Sequence, residues 1–265
     1  EKQLSYLFLI RHSGNCVFYP FHILVGQGLL QDACGHVGDD GEGEAVEAAV
    51  CRSQCLGDGG HTHCVAAEGA VLLKNENKTL PISKNTSIAL LGNAAYEILV
   101  GGSGSGNVNR KYKVSLNEGL VNAGLKLEEE LAEIYRTYTA AELAKMPAEN
   151  FWTIPVAPEM LLTKEQVKNA MKQADVAVIT ISRMAGEGGD RKIEASDYLL
   201  SKTEEANLDL ICNVAHEAGK RVVLVLNMGS MIDLTGCISK PDAILHAWMG
   251  GQEMGNSLAD VLMGK

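Results

Sequence analysis

The sequence predicts an α/β fold built on a mostly parallel sheet, and three observations lead there. Four short runs, Ile88 to Leu91, Val176 to Ser182, Val222 to Leu226 and Ala243 to Ala247, are nearly continuous in apolar residues, the pattern of strands covered on both faces. From Val65 onward such runs are followed by amphipathic helical patterns, as in a domain where strands and helices alternate. Two helices mark their own starts. Ser115 with Glu118 and Ser201 with Glu204 each match the Ser-x-x-Glu capping box, in which each side chain satisfies a free amide of the first turn.

Taken in order, residues 1–63 show no sustained helical or strand period, and Gly35 to Gly60 is dense in glycine, acids and cysteine, as loops are. This stretch holds five of the seven histidines (His12, His22, His36, His61 and His63) but, of the 23 Lys and Arg residues, only Lys2, Arg11 and Arg52. Cys16, Cys34, Cys51, Cys55 and Cys64 crowd the first 64 residues, against Cys212 and Cys237 afterwards, and an odd total argues against a closed disulfide framework. Composition thus separates an unassigned, irregular segment, 1–63, whose make-up suggests foreign or misassigned coding sequence, from a domain at 64–265. Within that domain, Pro147 to Pro158, with Phe151, Trp152 and Pro155, reads as an irregular surface excursion. Further on, Leu208, Ile211, Cys212 and Ala215 share one helical stripe, and Gly219 stands where a left-handed cap ends the helix before Val222. This is a β-α-β unit, so its strands run parallel.

At 265 residues and 46% hydrophobic content the chain can build a core and is expected to be a soluble, folded protein. Its net charge of −10 leaves no basic field for phosphate backbones or anionic lipid, which excludes nucleic-acid and membrane-surface binding and favours a neutral or cationic small partner. There is no run of eighteen apolar residues. Leu4 to Ile10 is too short to span a bilayer and lacks the basic flank of a signal peptide, so a cytoplasmic location is expected.

In an open parallel sheet, ligands sit beyond the carboxyl ends of the strands, so the loops there are where chemistry is sought. The first leads to GGSGSG at Gly101 to Gly106, where glycines let a backbone approach a ligand and Ser103 and Ser105 offer hydroxyls. A flexible connection is the plainer reading, and the dinucleotide spacing G-x-G-x-x-G is not met. The second, RMAGEGGDR from Arg183 to Arg191, sets Glu187 between Gly186 and Gly188 directly after a buried strand. A carboxylate there projects without steric screening, although a solvated acidic loop has the same composition. Asp190 and Arg191 are expected to pair and brace that loop. Asn227 to Ser230 and Met249 to Glu253 also carry glycines, and read either as tight turns or as further walls of the crevice. Trp248 offers a sugar-stacking face or a packing contact. Cys51, Cys55, His61, His63 and Cys64 supply enough soft ligands for zinc, though in no paired C-x-x-C pattern.

Six pieces in order, AAEGAVLLKNENKTLPI from Ala66, IALLG from Ile88, GGSGSG from Gly101, AGEGGDR from Ala185, VVLVLNMGS from Val222 and AWMGGQEMGNSLADVLMGK from Ala247, together resemble glycoside hydrolase family 3, the β-glucosidase and β-xylosidase family, through its α/β sandwich domain. The resemblance covers residues 64–265 and implies a three-layer α/β/α sandwich with a mostly parallel sheet of about six strands. It also implies a (β/α)₈ barrel packed against that sandwich, with the active site at their junction and an aspartate nucleophile on the barrel. Glu187 maps onto the family's general acid/base. Ser105, and with it Ser103, map onto the loop that hydrogen-bonds a sugar hydroxyl. Retaining hydrolysis needs one protonated carboxyl and one attacking carboxylate about 5 Å away, and closure of a barrel over Glu187 would supply the burial and like charge that keep an acid protonated. No metal or organic cofactor is implied.

The resemblance stops at the nucleophile. Ser196, Asp197 and Tyr198 imitate the family's Ser-Asp-Trp motif, but they follow the acid/base loop and lead into the Ser201 cap, so Asp197 is rejected. A barrel takes about 250 residues, and the expectation is therefore a fragment: the acid/base domain of a retaining β-glycosidase acting on small β-linked glucosides or xylosides, inactive without its barrel partner. The alternative is a non-catalytic carbohydrate-binding or interaction module, whose uncovered apolar face would favour a homo-oligomer. A nucleotide-binding doubly wound domain shares the sheet pattern but lacks the fingerprint.

Overall fold

The computed structural model describes residues 4–12, 15–23, 60–187 and 190–265, with side chains from residue 62 onward. The chain divides into two compact units, 1–48 and 49–265. In the first, strands β1 (Leu4–His12) and β2 (Asn15–Ile23) pair antiparallel, with His12 opposite Asn15 and Leu4 opposite Ile23. This corrects the expectation of irregular structure here. Polar residues fall irregularly in both runs, at Ser5, Arg11, His12, Asn15 and His22, so no period-two alternation is visible, yet the aromatic and β-branched residues between them are types that strands favour. Most of the glycine-rich stretch, 35–59, lies outside the described residues.

The second unit opens with α1 (Gly60–Gly69), followed by β3 (Val71–Asn75) and β4 (Ser87–Leu91). Next come α2 (Leu116–Asn122), the two-residue β5 (Lys126–Leu127), α3 (Glu129–Leu143) and α4 (Lys164–Gln173). The unit closes with β6 (Val176–Arg183), α5 (Lys202–Glu217), β7 (Arg221–Met228), β8 (Ala243–His246) and α6 (Met254–Met263). The sheet order is β3-β8-β7-β6-β4-β5, parallel throughout except that β3 runs antiparallel along β8. All four expected strands are present and parallel. Both Ser-x-x-Glu capping boxes form at the N-termini of α2 and α5, and Gly219 adopts the left-handed conformation expected after α5.

Alternate residues of the strands feed two separate cores, which is what makes the domain three layers. On one face Ala177, Ile179 and Ile181 of β6 and Leu224 and Leu226 of β7 pack with Leu131 and Tyr135 of α3, Val167 of α4 and Leu208 and Ile211 of α5. On the other, Val176 and Val178 with Val223 and Val225 meet Leu116 and Leu120 of α2 and Leu258 and Leu262 of α6. Each fully buried aliphatic side chain contributes about 1.5–3 kcal/mol, so both faces hold the central strands in place. α2 and α6 touch backbone to backbone. A Cβ on Gly119 would lie 2.0 Å from the Gly255 carbonyl oxygen, and one on Gly255 1.9 Å from that of Ser115. α1 docks on α6, where His63 Nε2 meets Asp260 Oδ2 at 3.0 Å.

No helix among the described residues is long and apolar enough to cross a membrane. Of the residues weighed as zinc ligands, Cys51 and Cys55 lie outside the described residues and His63 is engaged by Asp260. Among the described residues no His, Cys, Asp and Glu cluster could hold a metal ion.

Candidate active site at the carboxyl edge of the sheet

Four parallel strands end side by side, and the loops that leave them are fastened to one another. β4 turns through Gly92, whose φ of +90° and whose contact with Thr180, where a Cβ would sit 2.1 Å from the carbonyl oxygen, exclude other residues. The chain then reaches GGSGSG. That loop interlocks with the one leaving β6. Ser103 and Gly186 form a parallel bridge, and the Ser103 N–H donates to the Ala185 carbonyl at 3.1 Å. A Cβ on Gly102 would fall 2.4 Å from Ala185 O, and one on Gly186 2.0 Å from Ser103 Oγ. The expected flexible, ligand-approaching glycines are thus used mainly to let two backbones touch.

Glu187 stands on this double loop, and both it and Ser105 are exposed. The Ser105 hydroxyl donates to Glu187 Oε1 in a short hydrogen bond. Gly104, at φ +70°, leaves room for Oε2, which would lie 2.8 Å from a Cβ placed there. The structure therefore brings Glu187 and Ser105 together, whereas Ser103 is wedged between the two loops.

The expected Asp190–Arg191 brace does not form. Arg191 instead donates from Nε to Ser230 Oγ and from Nη1 to Asp197 Oδ1, both at 2.6 Å, and the Lys192 N–H donates to Asp197 Oδ2 at 2.8 Å. The Lys192 amide and the Arg191 guanidinium hold the Asp197 carboxyl below the usual carboxylate range. Asp190 is exposed, and a solvated partner gives a guanidinium little compared with one that can be held from two sides. Asp197, rejected as nucleophile, anchors the loop that follows Glu187.

Three residues that the sequence reading passed over organise the rest. Asn227, fully buried at the end of β7, donates from Nδ2 to the Leu99 and Trp248 carbonyls and accepts the Leu99 N–H, each at 2.8 Å, joining three loops. Arg183, the last residue of β6, is buried against Glu204 at 2.6 and 2.7 Å and also donates to the Asp197 carbonyl at 3.0 Å. Glu159 lines a cleft of about 530 Å³ behind the loop, together with Asn93, Arg183 and Arg191. It accepts the Asn93 N–H at 3.0 Å and the Tyr135 hydroxyl at 3.2 Å, and burial pushes its pKa up to about 7. A polar residue ending a buried apolar run, as Arg183 and Asn227 do, was the available signal.

The third and fourth loops do reach the same place. Gly229 makes room for Met249 and Ala185, where a Cβ would meet side-chain carbons at 2.6 and 2.9 Å, and the Gly251 N–H donates to the Val100 carbonyl at 2.9 Å. Trp248 sits at φ +56°, a strained setting for a bulky side chain. Its ring packs edge-on against buried His246, with centroids 4.1 Å apart, so packing accounts for one edge while 40% of the residue remains exposed. Burial lowers the His246 pKa.

Comparison with known proteins accords with this fold. A family profile described as "Glycosyl hydrolase family 3 C-terminal domain" matches residues 70–265. A beta-glucosidase from Ruminococcus albus is 36% identical over 76% of this chain and 21% of its own length. Beta-glucosidase A from Butyrivibrio fibrisolvens is 32% identical over 76% of this chain and 26% of its own. Among solved structures, beta-glucosidase 3B from Thermotoga neapolitana, in complex with α-D-glucose, superposes with a TM-score of 0.72 at 39% identity, covering 76% of this chain and 28% of that one. The chain thus spans about a quarter of the length of these relatives.

Proposed function

This chain belongs to glycoside hydrolase family 3, and from that premise we propose that it is the acid/base domain of a retaining β-glucosidase. The observation that carries the reading is the Glu187–Ser105 pair on two glycine-interlocked loops at the carboxyl edge of the sheet. The rest of the reaction centre, an aspartate nucleophile on a (β/α)₈ barrel, is supplied from outside the sandwich. The sugar hydroxyls meet Ser105 and, at the loop seam, Ser103.

In the first step the aspartate attacks the anomeric carbon, the glycosidic C–O bond breaks, and its electron pair stays on the leaving oxygen, which takes the proton of Glu187. In the second, Glu187, now a carboxylate, removes a proton from water. The water oxygen bonds to the anomeric carbon and the aspartate is released. The loop suits both steps because Oε1 is oriented by Ser105 while Gly104 makes room for Oε2.

The test joins the chain to a family barrel and compares β-glucosides of different leaving groups. Glu187→Gln should lower kcat/KM for a phenyl β-glucoside by roughly 10²–10⁴-fold. It should spare kcat/KM for a dinitrophenyl β-glucoside, whose leaving group needs no proton. Equal loss on both substrates refutes the assignment.

A further inference from the structure

The excursion between α3 and α4 is not loose. Residues Asn150 and Thr153 exchange backbone hydrogen bonds at 2.9 and 3.2 Å, and Asn150 Oδ1 accepts the N–H groups of Trp152 and Thr153. This turn is pinned to the serine-bearing loop. The Gly104 N–H donates to the Phe151 carbonyl at 2.9 Å, and Asn107 Nδ2 to the Asn150 carbonyl at 3.0 Å. At its tip Phe151 and Trp152 stand edge to face, centroids 4.8 Å apart, and remain 51% and 63% exposed.

Two large aromatics held rigidly in water mark a binding surface more than a packing accident. Beside them a cleft of about 460 Å³ is lined by Phe151, Val108, Asn107, Asn109 and the Arg110–Glu149 pair. Both Arg110–Glu149 contacts are 2.7 Å, so the lining is formally neutral. Amides beside an aromatic face, with no net charge, suit an uncharged ligand with a flat apolar face and a polar rim. Location says which part of a substrate that is. A general acid protonates the glycosidic oxygen, so the group beyond that oxygen must lie next to Glu187. Ser105, which touches Glu187, directly follows the glycine that is bonded to Phe151.

We propose that the Asn150–Thr153 turn and this cleft form the aglycone site, with Trp152 as the platform for a neutral, ring-bearing leaving group, either a second sugar or an aryl ring. The inference rests on the reading of Glu187 as acid/base. The barrel-joined chain is assayed with cellobiose, phenyl β-glucoside and glucosyl fluoride, which has no aglycone. Trp152→Ala should raise KM for one or both ring-bearing substrates about tenfold, as expected for loss of an aromatic contact, and leave glucosyl fluoride unchanged, while Trp152→Phe retains most of the wild-type value. Loss on cellobiose alone identifies a sugar, and loss on the phenyl glucoside alone identifies an aryl group. Equal change on all three substrates, no change on any, or weakened association with the barrel in place of a KM effect overturns the proposal. If Glu187→Gln slows cleavage of glucosyl fluoride, whose leaving group needs no proton, as much as that of phenyl β-glucoside, the acid/base reading is what has failed. Titration of the chain alone then decides the platform: a shift of the Trp152 indole N–H by cellobiose or phenyl β-glucoside, but not by methyl β-glucoside, upholds it, and its absence refutes it.

Discussion

Glu187 and Glu159 lie near the end of the same strand and could hardly be set more differently. Glu187 is exposed, follows β6 directly, and stands between glycines on a seam of two loops. Glu159 precedes α4, is largely enclosed, and has both carboxyl oxygens engaged, by Asn93 N–H and Tyr135 O–H. Burial gives Glu159 a pKa of about 7, the value that a general acid needs at neutral pH. The difference teaches that proton affinity alone does not identify the acid. Glu159 is poised, but its oxygens hold its own fold together, tying the turn after β4 to α3. Glu187 is exposed, with a neighbouring hydroxyl on one oxygen and room beside Gly104 for the other.

The largest test of that contrast is Gly186→Ala. Its new Cβ would lie 2.0 Å from Ser103 Oγ and 2.6 Å from Ser103 N, so the seam must part. Displacing Glu187 by about an ångström should cost about 10²-fold in kcat of the barrel-joined chain, while the far-ultraviolet spectrum of the sandwich stays that of the parent. Retention of full activity would show that the seam does not position the acid.

A smaller effect is expected at Glu159, and it is one of pH. The folded carboxyl, at about 7, lies above its ordinary value of 4.5. The fold therefore keeps a proton that the unfolded chain gives up. The stability this provides is complete below about pH 4.5 and is lost as pH rises through about 7. Glu159→Gln should flatten that decline, read as the thermal midpoint between pH 4.5 and 8. Parallel profiles for the two proteins would mean that Glu159 is ionised in the fold. The smallest effect concerns the loop anchors. Asp197→Ala should cost about 1 kcal/mol in denaturant unfolding, being a charged hydrogen-bond acceptor near the surface. Asp190→Ala should stay within about 0.5 kcal/mol.

What the sequence disclosed follows the range over which each force acts. β4, β6, β7 and β8 were legible because burial on both faces leaves a continuous apolar run. The caps of α2 and α5 were legible because a capping box is a four-residue event. The same signal at Thr163 and Gln166, which cap α4, was equally local and was overlooked. β3 stayed hidden because an exposed edge strand lacks the fully buried pattern. Glu187 and Ser105 were found on their loops, but not their contact, which spans 82 positions. The Asp190–Arg191 pairing failed for a related reason. Adjacency in sequence suggested a partner, whereas geometry selected Asp197 six positions on and Ser230 thirty-nine away. Nothing in spacing could reveal the partners of Asn227, which lie 128 residues before it and 21 after.

That single amide limits how this scaffold can be redesigned. Asn227 gives two protons and takes one inside a space closed to solvent. Aspartate would set a carboxylate against the two carbonyls, leucine would strand all three backbone groups, and glutamine would have to fit one more methylene into a filled site. Redesign of this domain should therefore leave the strand termini untouched and vary the outlying aromatic turn, where new side chains can be tried without loosening the joint beneath Glu187.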